Sequence, residues 1–158
     1  MGRDVVEVVV DNAETVEVIT DETSLIEIID AGPQGPMPDV PASIHYIFDG
    51  VGSVLTTGLK GSVIVPFGCT IDSWTLVASP SGSIVVDVWK CPLADYPPGA
   101  GDTITGGDAP EIADGQTASS ASLTAWTTAV TEGDVLSFNI DSVSSVTLAS
   151  IALKVTRA

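Results

Sequence analysis

Three near-identical four-residue words, ten residues apart, constrain the first part of this chain more than anything else in it. They are Val6-Glu7-Val8-Val9, Val16-Glu17-Val18-Ile19 and Ile26-Glu27-Ile28-Ile29. Equal spacing of β-branched words marks an internal repeat rather than an accident of composition. Val and Ile fit a pleated surface and bury well on it, and each word is too short to make a helix. The connectors Asp11-Asn12-Ala13-Glu14 and Asp21-Glu22-Thr23-Ser24 carry side chains that hydrogen-bond their own backbone in turns. The segment is therefore predicted to run strand, turn, strand, turn, strand. Within the first word Val6 and Val8 make one face wholly apolar, and the other face carries Glu7 beside Val9. Three such strands have no second layer of their own, and pieces of this size are marginal alone. The segment needs a partner: copies of itself, a docking surface on another protein, or the sheet of the downstream domain.

Gly32-Pro33-Gln34 and Gly35-Pro36-Met37 come next, two G-X-Y triplets with Pro in the X position. Two triplets are too few for a triple helix, but the same residues make a stiff, extended linker. That punctuation separates the repeat from the downstream domain and favours a partner outside it. Beside a repeat that needs partners, it points to three chains. The expected organisation is a β-repeat anchoring and oligomerisation segment (1–31), a Gly/Pro linker (32–42) and a β domain (43–158). Anchoring and oligomerisation are expected to rest on Val6, Glu7, Val8, Val16, Glu17, Val18, Ile26, Glu27 and Ile28.

After the linker no segment keeps a helical period for more than a turn or two. Ser43 to Phe48 is a strand-like run stopped by Asp49-Gly50, and Ser62 to Val65 is a short strand stopped by Pro66. Thr70 to Ala78 and Ser83 to Lys90 are predicted as antiparallel neighbours joined by a turn at Ser79-Pro80-Ser81-Gly82. In the second of these both faces are partly apolar, as in a strand within a sandwich or at a subunit contact. Pro92 to Ser122 is expected as a long irregular excursion. Leu136, Phe138 and Ile140 alternate with Ser137, Asn139 and Asp141, the mark of a half-buried strand. Val146 to Thr156 switches face partway, which a bulge near Ala149-Ser150 would explain. The fold class is all-β, an extended β-repeat anchor followed by a jelly-roll-like β-sandwich of about seven or eight strands.

Charge narrows the partners. Acidic residues outnumber basic ones 21 to 5 in 158 residues, and the formal charge of −16 repels phosphate backbones, so no nucleic-acid partner is expected. No run approaches the roughly 20 apolar residues of a membrane helix, so no membrane partner is expected either. Met1-Gly2-Arg3-Asp4 does not read as a signal peptide. Cys69 and Cys91 are accordingly expected as free, part-buried thiols.

Catalysis finds little to work with. His45, the only histidine, stands between Ile44 and Tyr46 and is expected as a packed or interface residue. Asp95, Asp102, Asp108, Glu111 and Asp114 do not match the spacing of a calcium loop. No catalytic residue, metal or cofactor is expected. Trp74, Trp89 and Trp126 sit in or beside strands and are expected in the core. Tyr96, in Asp95-Tyr96-Pro97-Pro98, is the candidate for an exposed ring that touches a ligand.

Val-Glu-Val words running into Gly-Pro-Gln-Gly-Pro, then a β domain with Gly-Ser-Val-Ile-Val-Pro-Phe-Gly-Cys-Thr-Ile-Asp-Ser-Trp-Thr-Leu (61–76), Ser-Ile-Val-Val-Asp-Val-Trp-Lys (83–90) and Asp-Tyr-Pro-Pro (95–98) complete the pattern. Together they resemble structural proteins of tailed bacteriophages and prophages, in particular fibre and spike components. The resemblance covers nearly the whole chain. It implies a homotrimer in the virion, its N-terminal part anchored to capsid, collar or tail proteins and its C-terminal domains pointing outward. There they would contact a host surface glycan or protein, or simply decorate the particle. No catalytic role transfers with these structural words. The alternative from another class is a carbohydrate-binding module or glycan-active enzyme domain.

Overall fold

A computed structural model describes residues 8–10, 15–21, 24–29 and 40–157. Among these residues ten strands run in chain order: β1 (Val8–Val10), β2 (Thr15–Asp21), β3 (Ser24–Ile29), β4 (Val40–Asp49), β5 (Gly58–Ile64), β6 (Cys69–Pro92), β7 (Glu111–Ser120), β8 (Ala129–Val130), β9 (Asp134–Ser144) and β10 (Leu148–Arg157). No α-helix occurs among the described residues, and the protein is all-β. It divides into two compact units, Met1–Pro38 and Asp39–Ala158.

In the first unit β1, β2 and β3 form a three-stranded antiparallel sheet in that order. The second and third words of the repeat are thus strands, and so is the described part of the first, Val8-Val9. Two rows of cross-strand partners are apolar throughout, Val8–Val18–Ile26 and Val10–Val16–Ile28, and the row between them reads Val9–Glu17–Glu27.

The second unit is a curled antiparallel sheet of seven strands, ordered β4-β10-β6-β9-β5, with β7 and β8 on the other edge of β6. Its organising element is β6, 24 residues long. Residues 69–79 pair with β10, and residues 83–92 pair with β9. Since β9 and β10 follow one another in the chain, β6 lies along both, and the sheet folds over itself where the two meet. One layer is then β4, β10 and the first half of β6. The other is β5, β9 and the second half. Tyr46 on β4 stacks on Phe138 of β9 at 4.8 Å between ring centroids, which is direct contact across the fold. Strands that bend from one layer into the other are the usual corners of such sandwiches.

The predicted turn at Ser79-Pro80-Ser81-Gly82 is this corner. Thr70–Ala78 and Ser83–Lys90 do not pair with each other; they are two arms of one strand. Turn residues bend a strand as readily as they reverse it, so local chemistry does not separate the outcomes. Gly82 is required there, because a Cβ at this position would stand 2.3 Å from the Ser144 carbonyl oxygen. Ser79 C=O accepts from the Thr147 backbone N–H (3.0 Å) and hydroxyl (3.1 Å), tying the corner of β6 to that between β9 and β10.

Four other expectations need correction. The excursion 92–122 ends in a strand, since β7 pairs along both arms of β6. Ala, Gly, Ser and Asp have little β preference, and only the partner makes this segment a strand. Residues 135–140 of β9 are buried on both faces rather than half-buried. On the outward face Ser137 shares a 2.6 Å hydrogen bond with Ser62 of β5, and Asn139 Nδ2 donates to Asp141 Oδ1 at 2.6 Å. The face switch near the C-terminus is no bulge at Ala149-Ser150: Val146 precedes β10, and Ala149, Ile151, Leu153 and Val155 then alternate regularly into the core. The register shift lies instead opposite Lys154/Val155. Finally, β4 begins at Val40, inside the expected linker. Pro41 is accommodated because β4 is an edge strand, where a missing N–H breaks no ladder.

The core draws Ile71, Leu76, Ile84, Val86, Phe138, Ile140, Ile151 and Leu153 from both layers. Trp74 and Trp126 are buried as expected, and Trp126 Nε1 donates to the Asp108 carbonyl at 2.9 Å.

Candidate functional site

Of the residues expected to anchor the chain, Val8, Val16, Glu17, Val18, Ile26, Glu27 and Ile28 fall within the three strands, and Val6 and Glu7 lie outside the described residues. The register brings Glu17 directly opposite Glu27. Like charges so placed weaken a strand pair, so this sheet is not optimised as a free-standing piece.

Of the two places expected for His45, packed or at an interface, packing within the domain is excluded. On β4 the residues Ile44 and Phe48 turn inward, and His45 is exposed on the outer face. The run Ile44-His45-Tyr46-Ile47-Phe48 has apolar residues on both faces, so alternation alone did not place it. Ile47 is likewise turned outward, 65% exposed.

Tyr96 lies between two short 3-10 turns, Leu93–Asp95 and Ala100–Asp102, and is 50% exposed. The loop beyond is held by Asp87 on β6, whose carboxylate accepts from Trp89 Nε1, Thr103 Oγ1 and Thr105 Oγ1, each at 2.7 Å. The Ile104 N–H donates to the Val88 carbonyl at 2.9 Å, so residues 103–105 run beside β6 as a short extra edge. Among the described residues no three acids, cysteines or histidines converge on a metal-sized site.

Both cysteines are buried and unpaired with each other. Burial pushes both thiols up, with Asp72 adding to the effect at Cys69 and Asp102, Asp95 and Asp134 at Cys91. A raised thiol keeps its proton in the folded state at a pH where the unfolded chain has lost it. Stability conferred this way is full below the ordinary thiol pKa and falls above about pH 8.5. The expected result is slow labelling by a thiol reagent at pH 8 in buffer and fast labelling in guanidinium. Equal rates in the two would refute the placement of both thiols.

A concavity lies where β4 leads into β5. It is a cleft of about 490 Å³, within the size range of small-ligand sites. Tyr46, Asp49, Val51, Val54, Thr56 and Lys60 line it. Its floor is fixed by backbone: Gly50 N–H donates to the Thr147 carbonyl (2.8 Å), Ser53 N–H to that of Gly50 (2.9 Å) and Leu55 N–H to that of Val146 (2.8 Å). Beneath, Tyr46 is wedged between Phe138 and Gly61, where any Cβ would strike its hydroxyl. Burial pushes the Tyr46 phenol up.

Two features of the cleft are unusual. Val51 and Gly52 both have positive φ, 53° and 81°, giving the turn from Gly50 to Ser53 the signs of type I′. That turn favours Asn or Gly, and a β-branched residue at its first position is strained. Val51 is nevertheless 89% exposed and buries nothing within the domain. The second feature is Lys60, whose ammonium donates to Thr56 Oγ1 (2.8 Å) and the Thr57 carbonyl (3.2 Å). Among the described residues the single ion pair is Lys90 with Asp134, at 3.8 Å, so Lys60 has no carboxylate partner there. Sequence reasoning passed over this site. The available signal was a valine between two glycines after Asp49, where a turn wants Asn.

No family model matches the chain, and neither does any curated protein.

Proposed function

We propose that this chain is a non-enzymatic structural protein of a tailed-phage particle, a homotrimeric short fibre or spike. Its N-terminal β-repeat anchors it to capsid, collar or tail proteins, and its C-terminal domain, a sandwich compatible with a jelly roll, faces outward toward the host surface. The observation that carries this reading is the separate three-stranded sheet of the first unit. Apolar rows on so small a sheet call for a further layer, and the sheet alone is marginal. Trimerisation or docking supplies one. The resemblance of the Val-Glu-Val words and the Gly-Pro linker to fibre and spike proteins supports the same conclusion.

Light scattering on the purified full chain is expected to give the mass of a trimer. A chain lacking residues 1–36 is expected to be lost from particles while its C-terminal domain keeps its β-sheet circular dichroism. A stable monomer of the full chain, or truncated chain still carried by particles, would overturn the reading. The cleft beside Lys60 favours a second function on the same molecule, a small-ligand binding module.

A further inference from the structure

The cleft between β4 and β5 joins an exposed apolar rim to an ammonium that meets no carboxylate among the described residues. We infer that this cleft binds a small molecule bearing one carboxylate on a compact apolar body, the carboxylate on Lys60 and the body against Val51 and Val54. Three observations converge on it. The cavity holds about 490 Å³ and is floored by fixed backbone, so it exists before any ligand arrives. Val51 stands on the strained turn, where it contributes no core packing, and strain of this kind collects at ligand contacts. Val54, half exposed, extends the same apolar rim.

The third observation is charge. In a chain of formal charge −16 the cleft offers an ammonium that no carboxylate within the described residues neutralises. Thr56 and the Thr57 carbonyl take two of its three protons and hold it in place, which leaves the third for a ligand. Asp49 also borders the cleft, but Oδ1 of its carboxylate accepts from the Val51 backbone N–H at 2.7 Å and braces the turn. One positive charge suits a monoanion. A polyanion would meet repulsion from the acidic surface around it.

The inference stands apart from the virion reading, because it is tested on the purified full chain. Cyclohexanecarboxylate and glucuronate, each beside its neutral amide, are titrated by calorimetry and by NMR shift changes. At least one carboxylate is expected to bind saturably, with its amide about tenfold weaker. Which carboxylate binds better tells a hydrocarbon acid from a sugar acid. Lys60→Gln is expected to lower affinity about tenfold, and Lys154→Gln, on the outer face of β10, to leave it unchanged. Val51→Asn relieves the turn, so it is expected to raise the melting temperature by about 3–5 °C while weakening binding. Two results would overturn the inference: no binding of either carboxylate, or binding that Lys60→Gln leaves intact.

Discussion

Phe138→Ala is expected to be the most damaging single substitution in the C-terminal domain, at about 3–5 kcal/mol. Phe138 is 0% exposed and lies near the middle of β9, between β5 and the second arm of β6. Its ring stacks on Tyr46 at 4.8 Å and stands edge-on to Phe48 at 6.4 Å, so it is the main aromatic bridge between the layers. Removing it opens a cavity that the hydrogen-bonded sheets cannot close by moving together. It also leaves Tyr46 without its stacking partner under the cleft. Phe138→Leu keeps most of the volume and should cost less than half as much. Urea unfolding followed by tryptophan fluorescence gives both values, and a loss no greater for Ala than for Leu would sink the account of how the layers meet.

Asp87→Ala is expected to cost roughly 2–4 kcal/mol. The carboxylate is only half-buried, yet it accepts three side-chain donors and the Val88 backbone N–H at 2.8 Å. Its loss leaves Trp89 Nε1 without an acceptor and the buried Thr105 hydroxyl with Thr103 Oγ1 alone, at 3.1 Å, and an unsatisfied donor costs more than a made bond returns. Asp87→Asn keeps one carbonyl oxygen and should lose about half as much. The effect should be local as well as global, because the network fastens residues 103–105 against β6. Limited proteolysis is expected to cut Asp87→Ala between residues 93 and 110 before the rest of the domain unfolds. Uniform resistance in that stretch would show that the loop is held by Ile104 and Trp126 instead.

The sequence alone determined what depends on local chemistry. The Val-Glu-Val words could be read as strands because β-branched residues in short runs, parted by Asx-rich connectors, have one good conformation. The all-β class and the inward set Leu136, Phe138 and Ile140 came from alternation. Burial of Trp74 and Trp126 came from their size, whereas Trp89, also expected in the core, is only half-buried on the face of β6 that carries Asp87.

Tertiary structure decided whatever depends on who pairs with whom. Ser79-Pro80-Ser81-Gly82 bends a strand instead of reversing it because β10 and β9 offer consecutive partners to its two arms. Glu111–Ser120 is a strand only because β6 is beside it. Ser137 and Asn139 are buried on a face that alternation gave to solvent, since hydroxyl and carboxylate partners satisfy them there. The cleft at Lys60 likewise needed the fold, for its walls are the ends of two edge strands and the loop between them. Period and propensity are properties of neighbours along the chain, whereas a corner, a two-sided burial and the bonds from Val146 and Thr147 that pin the floor of the cleft are made by residues far apart in it. No local pattern encodes those distances.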